Sequence, residues 1–451
     1  MTKKQMIGFI LAALFIVIFA FVPSVGSLSG KAVSAAGIML AALILWITEA
    51  LPMSITTLLM LCLLGMEGIM PYHEAMESVG TGTMMFIMAS SGMTVAMASS
   101  ALPKRMTSGL LKRFGNHAAW LVISLGLLIT LCSAFMSSLA TCALFMCIIN
   151  TMFPKGTGSI RRCMMLVIPA CAGIGGFMSP AGTPANMLLL DYLYQNGVTL
   201  SFAQWCGIGF PIGITAALFF LISALLFFHP TVPDCSSTLA DEPLTHQDRI
   251  TAVILILVIA GWFASSWVAW LSIGEVAILG LVVMFLPFVG ILNWKSFSNG
   301  VNWDLVITMG TVSVLMTGIS STGLIEHITN ALIWPLTDFP PFLLLCTISL
   351  IICLIRAFIP TTTAVVTLLA PMLITIAQMT GQNVAVLLMS LAFWTASALL
   401  LVYTEPIYLI TYQLHDYKAG DLLKVGIIPS IALSVFVSFF VPLLIKVVHV
   451  F

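Results

Sequence analysis

Residues 354–366 read LIRAFIPTTTAVV. An arginine, a proline and three consecutive threonines interrupt a run that is otherwise apolar. A transmembrane helix needs about 20 apolar residues. The stretch 341–380 reads as two short apolar helices around this polar break. A second stretch, 117–153, has the same form, and its break reads MSSLAT (136–141). Non-helical backbone at membrane depth is tolerated where it is buried in protein or lines a cavity. Both stretches are therefore expected to be re-entrant helical hairpins, each entering the bilayer and returning to its own side.

The composition agrees. The chain has 451 residues, 60% of them hydrophobic and 7% charged, with a mean hydropathy of +1.14. Soluble domains carry about 25% charged residues, so an all-α polytopic membrane protein is expected. The formal net charge is zero, and nothing points to a nucleic-acid partner. The apolar run 7–22 follows Lys3 and Lys4 without a small-residue cleavage site and is read as a retained first span, residues 1–30. Further spans are expected near 32–48, 50–66, 81–101, 207–228, 249–270, 272–291, 303–321 and 422–448. Two more, 163–194 and 383–413, are broken at SPAGTPAN and VYTEPIY.

Charge tests this layout. With the N-terminus cytoplasmic and both hairpins re-entrant, about 11 crossings leave the C-terminus outside. Thirteen of the 16 Lys and Arg residues then lie inside, Lys31 and Lys446 lie outside, and Arg356 is within the membrane. This is a strong positive-inside bias; simple crossings in place of the hairpins would weaken it. The expected location is the inner or plasma membrane.

The second half repeats the first at an offset of about 220 residues. Ala134-Phe135 answers Ala357-Phe358, Thr183 answers Thr404, and Pro211 answers Pro429. Each hairpin follows a short amphipathic segment, RMTSGLLKRFG (105–115) or GLIEHITNALI (323–333). The first is cationic and the second has no Lys or Arg, so the repeats have opposite orientation. They are expected to span 31–228 and 249–451, joined by a polar cytoplasmic linker, 229–248. Inverted repeats with broken helices indicate a secondary transporter whose site lies near the midplane. No Walker-type GxxxxGK[ST] occurs, which argues against ATP-driven transport by this chain.

Four stretches resemble the divalent anion/sodium symporters (DASS): LWITEALPMSIT (45–56), FMSSLAT (135–141), GGFMSPAGTPANMLL (175–189) and YKAGDLLKVGIIPSI (417–431). The resemblance runs through nearly the whole chain. It implies a homodimer in which a scaffold holds a transport domain that moves as an elevator and carries di- or tricarboxylates or sulfate. It also implies that the tips and broken helices bind sodium and the substrate together. The family's S-N-T tips stand here as Ser137, Ser138, Leu139 and as Pro360, Thr361, Thr362, with both asparagines lost. Its G-T-P-P-N break stands as Gly182, Thr183, Pro184, Ala185, Asn186, and in the second half as Tyr403, Thr404, Glu405, Pro406, Ile407.

The residues expected to meet a small anionic substrate are Ser137, Ser138, Thr183, Asn186, Arg356, Thr361, Thr362 and Thr404. Those expected at a coupling Na⁺ or H⁺ are Ser137, Ser138, Gly182, Thr361 and Glu405. Hydroxyls and helix N-terminal N–H groups suit an anion, and freed carbonyls and hydroxyl oxygens suit Na⁺. Set against this, Ser and Thr in membrane helices commonly bond back to their own backbone.

A membrane-centre arginine costs roughly 2.5–3.5 kcal/mol on insertion scales. Three placements stay open for Arg356: facing the site in place of a bound Na⁺, pairing with Glu405, or turning to the bilayer edge. The first-half equivalents of the two charges are read as Ser133 and Pro184. The seven histidines have no metal-ligand spacing, and the ten cysteines lack a zinc-like C-x-x-C. Neither an enzyme, a bound metal nor a cofactor is expected, apart from Na⁺ as a candidate coupling ion. The leading function is secondary transport of di- or hydroxy-carboxylates coupled to Na⁺, H⁺ or anion exchange. The alternative is an inorganic anion permease or efflux subunit.

Overall fold

The computed structural model describes residues 3–24, 28–77, 82–156, 158–231, 243–268, 270–325, 327, 339–357, 359 and 361–448. These residues are all-helical in type, and eight of their helices are long and apolar enough to cross a membrane. Most of the linker and of the 323–333 segment, together with Phe358 and Pro360 of the second tip, lies outside the described residues.

The first hairpin is α7 (Ala118–Ser133) and α8 (Ser138–Met152); the second is α16 (Pro341–Arg356) and α17 (Thr362–Thr380). The broken helices are α9 (Ser159–Phe177) with α10 (Pro184–Gln195), and α18 (Val384–Ala396) with α19 (Pro406–Tyr412). Both breaks restart in the same way. Proline suits the first helical turn, where its missing N–H costs nothing, and it forces the preceding residue into extended backbone. Thr183 (φ −145°, ψ 142°) precedes Pro184, and Glu405 (φ −142°, ψ 127°) precedes Pro406. The caps therefore pair Thr183 with Glu405. This corrects the sequence alignment by one residue, because it matched Thr183 to Thr404 and Pro184 to Glu405.

Helix packing divides the chain into two bodies. In the first, α1 (Lys3–Phe21) packs on α2 (Gly30–Thr48), α3 (Met53–Met66) on α15 (Trp303–Ser320), and α5 (Gly82–Ser99) on α13 (Ile273–Phe285). In this body α12 (His246–Ala264) also lies against α13, and the short α14 (Trp294–Gly300) against α5. The short helices α4 (Tyr72–Glu77) and α6 (Leu102–Phe114) flank α5 in the chain. The second body holds both hairpins and both broken helices, with α11 (Phe202–Phe228) and α20 (Ala419–Val447). Helix α9 is its centre: 94% of its apolar window is buried, against 11% for α1.

The expected span 272–291 ends earlier, at Phe285, because Leu286 is held extended (ψ 135°) ahead of Pro287. Close backbone contact sets the first break. A Cβ on Gly182 would stand 2.5 Å from the Gly176 carbonyl oxygen, and one on Gly173 would stand 2.6 Å from that of Ala396. Only glycine allows the two broken helices to cross this closely.

Candidate functional site between the hairpin tips

Both tips and both breaks converge in the second body. The Cys142 thiol of the first hairpin donates to the Ile407 carbonyl of the second broken helix (3.3 Å), so the site is built from both halves of the chain. A cavity of about 410 Å³ opens between this convergence and the first body. Its lining includes seven of the ten residues singled out from the sequence: Ser137, Ser138, Gly182, Thr183, Thr361, Thr362 and Glu405. The first residues of α8, α10 and α17 all reach it, so three helix N-termini present partial positive charge there. The Thr361 hydroxyl oxygen is buried and has no hydrogen-bond partner. Such a group costs free energy unless something satisfies it.

Three of the expected site residues stand behind the wall. Asn186 is fully buried, and its amide nitrogen donates to Gly176 O (2.8 Å) and Ser179 O (2.7 Å). It ties the two sides of the first break together and does not line the cavity. The Thr404 hydroxyl donates to Leu401 O (2.6 Å), closing its own turn.

Arg356, 1% exposed, is turned away from both the cavity and the bilayer edge. Its guanidinium donates to Thr395 O (3.1 Å), Thr404 O (2.8 Å) and Ile359 O (2.6 Å), and it pairs with the Glu405 carboxylate. Of the three placements, the buried pair is the observed one. The carbonyls belong to the end of α18, the break and the hairpin tip, so one side chain pins all three. A charge at this depth is held by carbonyl dipoles and one counter-charge. At the equivalent place in the first half, the Ser133 hydroxyl donates to Ala172 O (2.6 Å) and to Ser138 Oγ (3.2 Å).

Glu405 is the one ionisable side chain lining the cavity among the described residues, and it is 15% exposed. Pairing with Arg356 neutralises it. The wall thus offers hydroxyls, N–H groups and a compensated charge, with no unpaired cation.

The first body supplies residues that the sequence reading did not single out: Met53, Ser90, Ser91, Thr94 and Asn302. Thr94 Oγ1 accepts from the Ser137 N–H at the tip (3.3 Å). The Ser91 hydroxyl is bonded back to Ile87 O (2.7 Å). No local pattern marks Ser90, Ser91 and Thr94, because α5 reads as an ordinary apolar span, and Met53 lies within the 45–56 stretch without being read as a site residue.

A second buried ion pair braces the far end of the body. Arg161 (Nε) meets Asp416 at 2.8 Å and also donates to Phe153 O, linking the end of the first hairpin to the loop after α19. In that loop the Tyr417 hydroxyl donates to Tyr408 O (3.2 Å) and shares a hydrogen bond with Thr411. Burial pushes its phenol well above the usual tyrosine range, so it stays neutral.

Comparison with known proteins gives a consistent answer. The family described as "Sodium:sulfate symporter transmembrane region" matches residues 3–448. The chain is 22% identical to the sodium-dependent dicarboxylate transporter SdcS of Staphylococcus saprophyticus, over 97% of this chain and 91% of that one. It is also 22% identical to human solute carrier family 13 member 2, over 89% and 87%. Its fold matches the crystal structure of the Alcanivorax borkumensis YdaH transporter at a TM-score of 0.58, with 14% identity and 99% of each chain covered. A match running from residue 3 to residue 448, on a fold with paired hairpins and broken helices, makes this chain a member of the sodium:sulfate symporter family, a multi-pass membrane transporter of anions and not an enzyme.

Proposed function

We propose that the protein is a secondary carrier of small carboxylates, with di- or hydroxy-carboxylates as the substrate class. The second body acts as the moving elevator domain, and the first as the scaffold of a homodimer. In this reading the repeats are residues 31–228 and 249–451 around the linker 229–248, and 11 crossings put the N-terminus inside and the C-terminus outside. The observation that carries the proposal is the meeting of three helix N-termini and the Ser137, Ser138, Thr361 and Thr362 hydroxyls on one cavity between two separately packed bodies.

The coupling ion follows from the asymmetry of the halves. In the second half a guanidinium already occupies the carbonyls a cation would use, so Arg356 takes the place of a bound cation there without touching substrate. The first half keeps a free oxygen: the Asn186 amide oxygen is buried without a partner, and in the same half Ser138 lines the cavity. Because Glu405 balances Arg356, one Na⁺ bound with Ser138 and Gly182 would supply the positive charge for a carboxylate. The names of the sodium-dependent relatives support Na⁺ over H⁺.

The purified chain in proteoliposomes should take up a four-carbon dicarboxylate saturably, with a Na⁺ Hill slope near one. A slope of two or more would remove Arg356 from its assigned role. Absence of carboxylate uptake would remove the substrate class. A second reading is an inorganic oxyanion such as sulfate, favoured by the family's description and by donors that are all neutral hydroxyls or N–H groups. Inhibition of carboxylate uptake by sulfate at comparable concentration would favour it.

A further inference from the structure

A carboxylate that the transport site does not use sits on the boundary between the two bodies. Asp191 lies on α10, two turns beyond the first break. That helix packs mainly on α17 and α18 of the second body. Its Oδ2 accepts from the hydroxyl of Thr83 at 2.6 Å. Thr83 is the second residue of α5, which packs on α13 of the first body, and it is 4% exposed.

The position of the cavity tells which state this contact accompanies. The tips face Met53, the first residue of α3, and Asn302 and Leu305 at the start of α15. In the proposed orientation those are the cytoplasmic ends of both scaffold helices. The first tip is bonded to Thr94, in the inner half of α5, so the site stands on the inward side of the scaffold; the cavity lining runs outward along α5 to Phe86, and Asp191 on α10 is level with the outer end of α5.

We propose that the Asp191–Thr83 hydrogen bond is a latch that holds the transport body in its inward-facing position and must open for the outward stroke. The inference rests on the elevator reading above. An elevator shift moves α10 outward past Thr83. Thr83 stands in the first turn of α5, so the shift parts Asp191 from this hydroxyl. The carboxylate then exchanges the hydroxyl for water at the membrane surface. A hydrogen bond present in one state and absent in the other biases the equilibrium by its differential free energy. For a bond to a charged, half-buried acceptor the bias is about tenfold.

The test places a fluorophore pair, as non-natural amino acids, at Met66 and Tyr194. Both positions are exposed, at the outer ends of α3 and α10 (80% and 74%). Single-molecule energy transfer in liposomes then reads the ratio of inward to outward populations. Thr83→Val keeps the shape and removes the donor, and should lower the inward-to-outward ratio about tenfold. Thr83→Ser keeps the hydroxyl and should preserve the wild-type ratio, which separates the latch from a packing effect. If the wild type shows two distances and Thr83→Val leaves their ratio unchanged, the latch is wrong. If the wild type shows a single distance under every Na⁺ and substrate condition, the elevator reading itself fails.

Discussion

Arg356 and Glu405 form an ion pair in which only the acid reaches the cavity; the arginine is turned back onto three carbonyls behind the wall. The pair therefore sets both the shape of the second tip and the charge of the site. Removing one partner of a buried pair costs about 3–5 kcal/mol, because the other charge is left uncompensated. Arg356→Ala should lower the melting temperature of the detergent-solubilised protein markedly and abolish uptake. Glu405→Gln should cause a similar loss of stability, at the low end of that range. An Arg356→Ala protein that melts like the wild type and still fails to transport would show that the arginine acts on substrate directly.

Thr361 presents a buried hydroxyl without a partner to the cavity, whereas Ser91 lines the same cavity with its hydroxyl already bonded to Ile87 O. A lost hydrogen bond to a charged ligand is worth about 1.5–3 kcal/mol. Thr361→Val should therefore weaken transport affinity by roughly tenfold or more, with melting unchanged. Ser91→Ala should stay within about threefold of the wild type, because its hydroxyl is already satisfied by the helix. Concentration-dependent uptake on both variants checks the contrast.

Arg161 is as deeply buried as Arg356, at 1% exposure, but neither it nor its partner Asp416 lines the cavity. Arg161→Ala leaves Asp416 without its partner and the Phe153 carbonyl without a donor. A stability loss of about 3 kcal/mol is expected, with the transport KM of the surviving folded fraction unchanged. A changed KM would show that the brace reaches the site.

Gly182→Ala places a methyl group against the Gly176 carbonyl and Cα, at 2.5 and 2.8 Å. Overpacking of this kind costs about 1–3 kcal/mol. The first break must widen, so Na⁺ dependence should weaken more than substrate dependence. Paired Na⁺ and substrate titrations measure the difference.

The hairpins and breaks were legible because polar residues inside apolar runs have few physical explanations. MSSLAT, PTTTA and the prolines at 184 and 406 each mark a place where a helix must stop or start. Arg356 was legible as an anomaly and not as a geometry: whether a side chain faces a cavity or the backbone behind it depends on a rotamer and on neighbours 39 and 48 residues away. The one-residue slip between Thr183 and Glu405 arose because alignment on identical threonines ignored the prolines that set both caps. Thr94, Asn302 and the Asp191–Thr83 contact carry no local signature, because they acquire meaning only when two bodies are laid against each other.

The bond from Cys142 to Ile407 joins residues 265 positions apart. During synthesis at about 5–20 residues per second, the first hairpin therefore waits roughly ten to fifty seconds for the segment that completes its tip. Throughout that interval its polar turn must be sheltered by α9 or by the insertion machinery. Biogenesis of this protein is thus a problem of holding half a site closed until its second half has been made.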